Sequence, residues 1–180
     1  MESDILQVLL TREEIASGVA RLAGEVERDC RGRVPLVVGV LKGAVVFMAD
    51  LIRAMRIPLR CDFIAVSSYG ASTKSSGQVQ ILKDLEQSIE GQTVILVEDI
   101  VDTGLTLRYL ADNLRARQPE SLRICTLLDK PSRRLVEIEP DYNGFVVPDR
   151  FVVGYGLDYA EKYRNLPYIG VLKPEVHGNR

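Results

Sequence analysis

The chain has no tryptophan, a single histidine and only three cysteines in 180 residues. Cys30, Cys61 and Cys125 are odd in number, widely spaced and without a C-x-x-C pair, which argues against a disulfide framework or a zinc site and fits a reducing cytoplasm. The lone His177 falls in the tail Pro174-Glu175-Val176-His177-Gly178-Asn179-Arg180, far from every motif, and is expected to be a disordered terminal residue. No apolar run approaches membrane-spanning length, and the opening Met1-Glu2-Ser3-Asp4 is acidic, so neither a membrane helix nor a signal peptide is expected. Long blocks of one charge sign are also missing: 23 basic residues stand against 25 acidic ones, for a net charge of -2. That balance offers no broad surface to nucleic acid or anionic lipid, so any anionic ligand must be held locally.

What is present suits one compact domain over residues 1–180. Hydrophobic residues make up 46% of the chain and charged residues 27%, enough to bury a core without staples. No internal repeat or low-complexity tract is evident. Thr11 with Glu14 reads as a capping box, and Ile15, Val19, Leu22 and Val26 recur at helical spacing, so a first helix should run to about Cys30 and stop near Gly32. Leu36-Val37-Val38-Gly39-Val40 is a continuous apolar run of the kind buried on both faces of a parallel sheet. Alternation continues with a helix over Ala44 to Met55, strands over Leu59 to Ser67 and Val94 to Val97, a helix over Leu105 to Arg115 and a strand over Leu122 to Leu128. This order predicts an α/β fold with a mainly parallel central sheet flanked by helices, its core at about 10–130. After Pro131 come short strand-like pieces, Phe145-Val146-Val147, Phe151-Val152-Val153 and Tyr168 to Leu172, expected to form a small hood over about 131–172.

The most informative segment is Val94-Ile95-Leu96-Val97-Glu98-Asp99-Ile100-Val101-Asp102-Thr103-Gly104-Leu105-Thr106-Leu107. It combines a buried strand, an acid pair, a third acid and a hydroxyl-rich turn that opens a helix, and ligands of open α/β sheets bind where strands end in this way. Backbone amides and hydroxyls from Asp102 to Thr106, at the positive end of a helix, suit a phosphate monoester. Glu98 and Asp99 can accept hydrogen bonds from a vicinal diol or hold a hydrated Mg²⁺. A ribose 5-phosphate matches both halves, whereas the bland reading makes the acids a solvated strand end and the turn a helix cap.

This composite resembles the phosphoribosyl pyrophosphate-binding motif of the type I phosphoribosyltransferases, and segments from about Val34 to Leu172 are similar to their hypoxanthine-guanine branch. The resemblance implies the type I phosphoribosyltransferase fold and a role for each matching residue. Lys42 and Gly43, in Leu41-Lys42-Gly43-Ala44, match the pyrophosphate loop, where an unusual peptide bond precedes the lysine; Ala44 stands where many relatives carry a second glycine. Ser68 and Tyr69 begin a small, polar stretch that looks like the flexible catalytic loop. Lys130 matches the lysine that binds the purine's exocyclic oxygen, and Phe151 with Val152 the segment that stacks on the base and accepts a hydrogen bond from it. Asp158 resembles an acid that contacts Mg²⁺, alongside Glu98 and Asp99, and Arg164 an arginine that reaches the pyrophosphate. By residue type alone, Lys130, Asp158 and Arg164 would be solvated charges and Phe151 a core aromatic.

The implied activity is Mg²⁺-dependent purine salvage: hypoxanthine or guanine, with xanthine as a further candidate, reacts with phosphoribosyl pyrophosphate to give the nucleotide and pyrophosphate. Asp102 is the position expected near N7 of the base, where a carboxylate can accept a proton. An ammonium offers only donors, so Lys130 suits a 6-oxo group and disfavours adenine. The family also implies a cytoplasmic homodimer or homotetramer. The rival from another class, an RNA-binding regulator on the same fold, wants a basic face that the charge balance does not offer.

Overall fold

The computed structural model describes residues 1–68 and 79–178, so Tyr69 lies outside the described residues. Thr11 caps the first helix, α1 (Arg12–Asp29), through a complete capping box with Glu14, and the helix buries Ile15, Val19, Leu22 and Val26 along one stripe. The predicted helices over the Ala44 and Leu105 segments are α2 (Val45–Ala54) and α3 (Leu105–Arg115). A short α4 (Pro174–His177) ends the described chain. No helix among the described residues is long and apolar enough to cross a membrane.

Numbered along the chain, the strands are β1 (Ile5–Leu10), β2 (Leu36–Leu41), β3 (Arg60–Ser68), β4 (Val79–Lys83), β5 (Thr93–Val101), β6 (Ser121–Asp129), β7 (Tyr142–Val146), β8 (Val152–Val153) and β9 (Ile169–Leu172). The large sheet has the order β4-β3-β2-β5-β6-β7, parallel throughout except for β4 against β3. Its central strands are buried on both faces. Val37, Ile95 and Val97 join the core under α1 and α2, while Val38, Val94 and Leu96 join the core under α3 with Leu107, Leu110 and Leu114. Alternate residues thus feed opposite cores, and each fully buried leucine contributes roughly 1.5–3 kcal/mol of transfer free energy. Helix α1 lies close on the sheet at Gly18, where an added Cβ would meet Phe145 Cζ at 2.5 Å.

The hood differs from expectation in where its strands come from. It is an antiparallel sheet in the order β1-β9-β8, pairing Ile5 with Leu172 and Val152 with Val171. The N-terminal strand was not predicted, and Phe145 and Val146, expected in the hood, sit in β7 at the edge of the large sheet. Both differences arise because partners distant in sequence decide where a short apolar piece pairs, and no local pattern records the partner.

Candidate active site

Strand β2 connects through α2 to β3 on one side of the sheet, and β5 connects through α3 to β6 on the other. The order therefore reverses between β2 and β5, and a crevice opens beyond their carboxyl ends. Pairing of β2 with β5 stops at Gly39 and Val97, while β5 continues along β6 as far as Val101. Glu98 and Asp99 thus emerge from the shared ladder on the β2 side. The acid pair lies inside a longer strand than the expected Val94 to Val97, with the turn beginning at Asp102.

Gly43, Glu98, Asp99 and Thr106 line one cavity of about 180 Å³, with Val40, Leu41 and Val66. A cis peptide bond joins Leu41 to Lys42. Gly43 has no room for a side chain: a Cβ there would lie 1.7 Å from Asp99 Oδ2. Ala44, by contrast, sits fully buried at φ -73° and ψ -6°, a conformation open to any L-residue, so a second glycine is not needed here. Burial, reinforced by the charge of Asp99, pushes the Glu98 carboxyl well above the usual carboxylate range. Burial also raises Asp99, to about 6, against the opposing pull of the Ile100 amide, its own amide and the Arg164 charge. Two acids held this far from ordinary behaviour in a crevice mark a place built for a cation or a hydrogen-bond donor.

Across the crevice, Gly104 precedes α3 at φ 82°, and its missing side chain leaves space for Ile138 and Arg134. The Leu105 amide bonds Thr103 Oγ1 at 3.4 Å. The turn is pinned from outside: the Leu135 amide donates to Thr103 O at 2.9 Å and Arg134 Nη1 to Asp102 O at 2.8 Å. Arg134 reaches back from there to Asp129, which is buried and also accepts from Asn143. Arg133 Nε bonds the Asp102 carboxylate at 2.9 Å. The sequence analysis missed both arginines; the adjacent basic pair just after Pro131 was the available signal.

Comparison with known proteins identifies the family. The profile of the phosphoribosyl transferase domain matches residues 7–160. A hypoxanthine-guanine phosphoribosyltransferase of Bacillus subtilis is 56% identical over 177 residues, 98% of each chain. The chain belongs to the hypoxanthine-guanine phosphoribosyltransferase family. It is 55% identical to the bifunctional protein TilS/HprT of Listeria monocytogenes over 98% of its own length but only 27% of that protein's. The crystal structure of a Staphylococcus aureus hypoxanthine phosphoribosyltransferase superposes with a TM-score of 0.95 at 51% identity, covering 99% of this chain and 97% of that one.

Of the other residues that the resemblance singles out, Asp158 and Arg164 are near enough for their charges to act on Asp99, and Lys130 is near enough to feel Asp102. Lys130 is buried, its amide bonded to Val101 O and its Nζ to Arg150 O at 2.6 Å. Burial pulls its pKa down, opposed by the carboxylates of Asp102 and Asp149. It is therefore no ordinary solvated lysine. Phe151 is no core residue either, being 41% exposed, while the following Val152 is buried in β8. Asp158 pairs with Arg164 at 2.8 Å, and Arg164 Nη1 bonds Gly156 O at 2.7 Å. Gly156, at φ 100°, lets its segment approach the Leu41–Ala44 loop closely, since a Cβ there would lie 2.2 Å from Gly43 O. Lys42 reaches Glu161 at 3.1 Å, a second contact the sequence analysis did not foresee. The Ser68 backbone ends β3. A larger cavity, about 740 Å³ between α1, α2 and the 164–167 segment, contains neither the acid pair nor the turn from Asp102 to Thr106.

Proposed function

We propose that this chain joins hypoxanthine or guanine, with xanthine as a further candidate, to the ribose 5-phosphate of phosphoribosyl pyrophosphate, giving IMP or GMP and pyrophosphate. The observation that carries the reading is the juxtaposition of Gly43, Glu98, Asp99 and Thr106 around one cavity at the reversal point of the sheet. There, a diol on the acid pair places a 5′-phosphate on the turn from Asp102 to Thr106 and a diphosphate on the amides of Lys42 and Gly43.

The donor set fits Mg²⁺. Glu98 and Asp99 are hard oxygen donors with raised proton affinity, and Asp158 is close enough for its charge to act on Asp99. Among the described residues no three His, Cys, Asp or Glu side chains gather tightly enough to hold an ion alone. That suits Mg²⁺, which keeps its waters and substrate phosphates and takes only one or two protein carboxylates. When bound, the ion neutralises charge on the departing diphosphate. Arg164 supplies a fixed positive charge on the same side; its Nε is buried and unpartnered among the described residues.

Lys130 donates to the purine's 6-oxo group, Phe151 stacks on the base and the Val152 carbonyl accepts from it. Asp102 accepts the N7 proton as the glycosidic bond forms, a contribution of about 10²–10⁴ in rate, and its ion pair with Arg133 opens or shares to admit the base. A cytoplasmic homodimer or homotetramer completes the proposal, supported by the same family membership.

The deciding experiment is a spectrophotometric assay of the purified chain with phosphoribosyl pyrophosphate, Mg²⁺ and, in turn, hypoxanthine, guanine, xanthine, adenine and uracil. The 6-oxopurines should react only with Mg²⁺ present, and Asp102→Asn should lose most turnover while keeping nucleotide binding. Efficient use of adenine, or unchanged kcat in that variant, would refute the corresponding assignment.

A further inference from the structure

The one histidine is not in a disordered tail, as the sequence pattern suggested, but on the base platform. Its ring stacks on Phe151 with 4.7 Å between centroids and 17° between planes. Tyr159 meets the same phenyl ring edge-on, at 5.5 Å and 90°. The chain has few ways to avoid this placement. The Leu172 amide is bonded to Phe151 O at 2.9 Å, the Lys173 amide to Asp4 O at 2.9 Å, and Pro174 starts α4 immediately afterwards. Val176 packs on the hood core with Leu172 and Tyr163, which turns the end of α4 back over Phe151.

We propose that His177 is a positioning residue for the purine: its imidazole backs one face of Phe151 and holds the ring so that the base stacks on the other. This rests on the reading of Phe151 as the base platform. A phenyl ring as exposed as this one samples several rotamers when free, and each must be frozen out when a base binds. Covered on one face by His177 and at its edge by Tyr159, the ring is already set before the base arrives, while Phe151 as a whole stays 41% exposed. Flat rings prefer such offset-stacked and edge-to-face partners over unstructured contact. The base site therefore draws on α4 as well as on β8.

The test is steady-state kinetics on the full chain, with wild type, His177→Ala, His177→Phe, Phe151→Ala and the double variant Phe151→Ala/His177→Ala. Loss of one stacked aromatic pair should raise KM for hypoxanthine by about three- to tenfold in His177→Ala, with kcat and KM for phosphoribosyl pyrophosphate changed by less than about twofold. His177→Phe should restore the base KM, because it keeps a flat ring in place. Adding His177→Ala to Phe151→Ala should change nothing further. An unchanged or lowered base KM in His177→Ala, a parallel rise for both substrates, or no rescue by His177→Phe would overturn the inference. If Phe151→Ala itself leaves the base KM unchanged, the platform reading has failed; a normal Phe151→Ala effect with a silent His177→Ala sinks the inference alone.

Discussion

A methyl group added at Gly43 would lie 1.7 Å from a carboxylate oxygen of Asp99, much closer than any relaxation of one side chain can absorb. Either the carboxylate rotates out of the crevice or the loop backs away from it, and both displace groups that must act on one ligand. Misplacement by about 1 Å can cost on the order of 10²-fold in rate. Gly43→Ala should therefore lower kcat/KM for phosphoribosyl pyrophosphate by about that factor, while the circular dichroism spectrum stays that of the wild type; near-normal kcat/KM would mean the close approach is dispensable. At this scale the sequence was readable where chemistry is concentrated in one run, as from Glu98 to Thr106. It was unreadable where a contact joins remote residues. Nothing local says that Arg134 spans Asp129 and the Asp102 carbonyl, that Lys42 meets Glu161, or that His177 lies on Phe151.

The elements that carry a strong period emerged nearly as predicted, because their burial and caps are local facts. Helix α1 has its capping box and apolar stripe, and α3 begins and ends at the predicted Leu105 and Arg115. Strands β1 and β4 were missed, and both are short edge strands with one face half-exposed. In β4, Val79, Ile81 and Lys83 alternate with exposed Gln80 and Leu82, a period-two signal too brief to stand out. The turn from Asp102 to Thr106 shows how an element end is built from outside itself. Gly104 sits at φ 82°, and a Cβ there would lie 2.8 Å from Ile138 Cγ2 and 3.0 Å from Arg134 Cδ, so an alanine is both strained and crowded. Gly104→Ala should destabilise the protein by about 1–3 kcal/mol, seen as a lower midpoint in urea with an unchanged slope. A midpoint equal to the wild type would show that the turn relaxes freely, and the outward pinning by Arg134 and Leu135 would then matter little.

Across the whole molecule, the parallel sheet and its reversal point follow from the order of strands and helices, whereas the hood depends on a pairing between the two ends of the chain. That architecture places two acids where water is scarce, and the molecule's response to pH follows. In the unfolded chain both carboxyls ionise near pH 4, whereas in the fold Asp99 is pushed up to about 6 and Glu98 well above its usual range. Between about pH 4 and pH 6 the folded state therefore binds more protons than the unfolded one, so stability falls as pH rises through that window and remains lowered above it. Asp84 acts in the opposite sense: its bonds to Arg117 hold its pKa down, and the stability it contributes is lost as pH falls below about 4. In the proposed function, Mg²⁺ with phosphoribosyl pyrophosphate binds the ionised pair, so the ligand competes with protons and offsets the cost of holding two buried charges at neutral pH. The gain in thermal midpoint on adding both should accordingly grow from pH 5.5 to pH 7.5, measured by scanning calorimetry at constant ionic strength. A gain that is flat or shrinks over this range would mean that the buried acids are not where the metal and the sugar meet the protein.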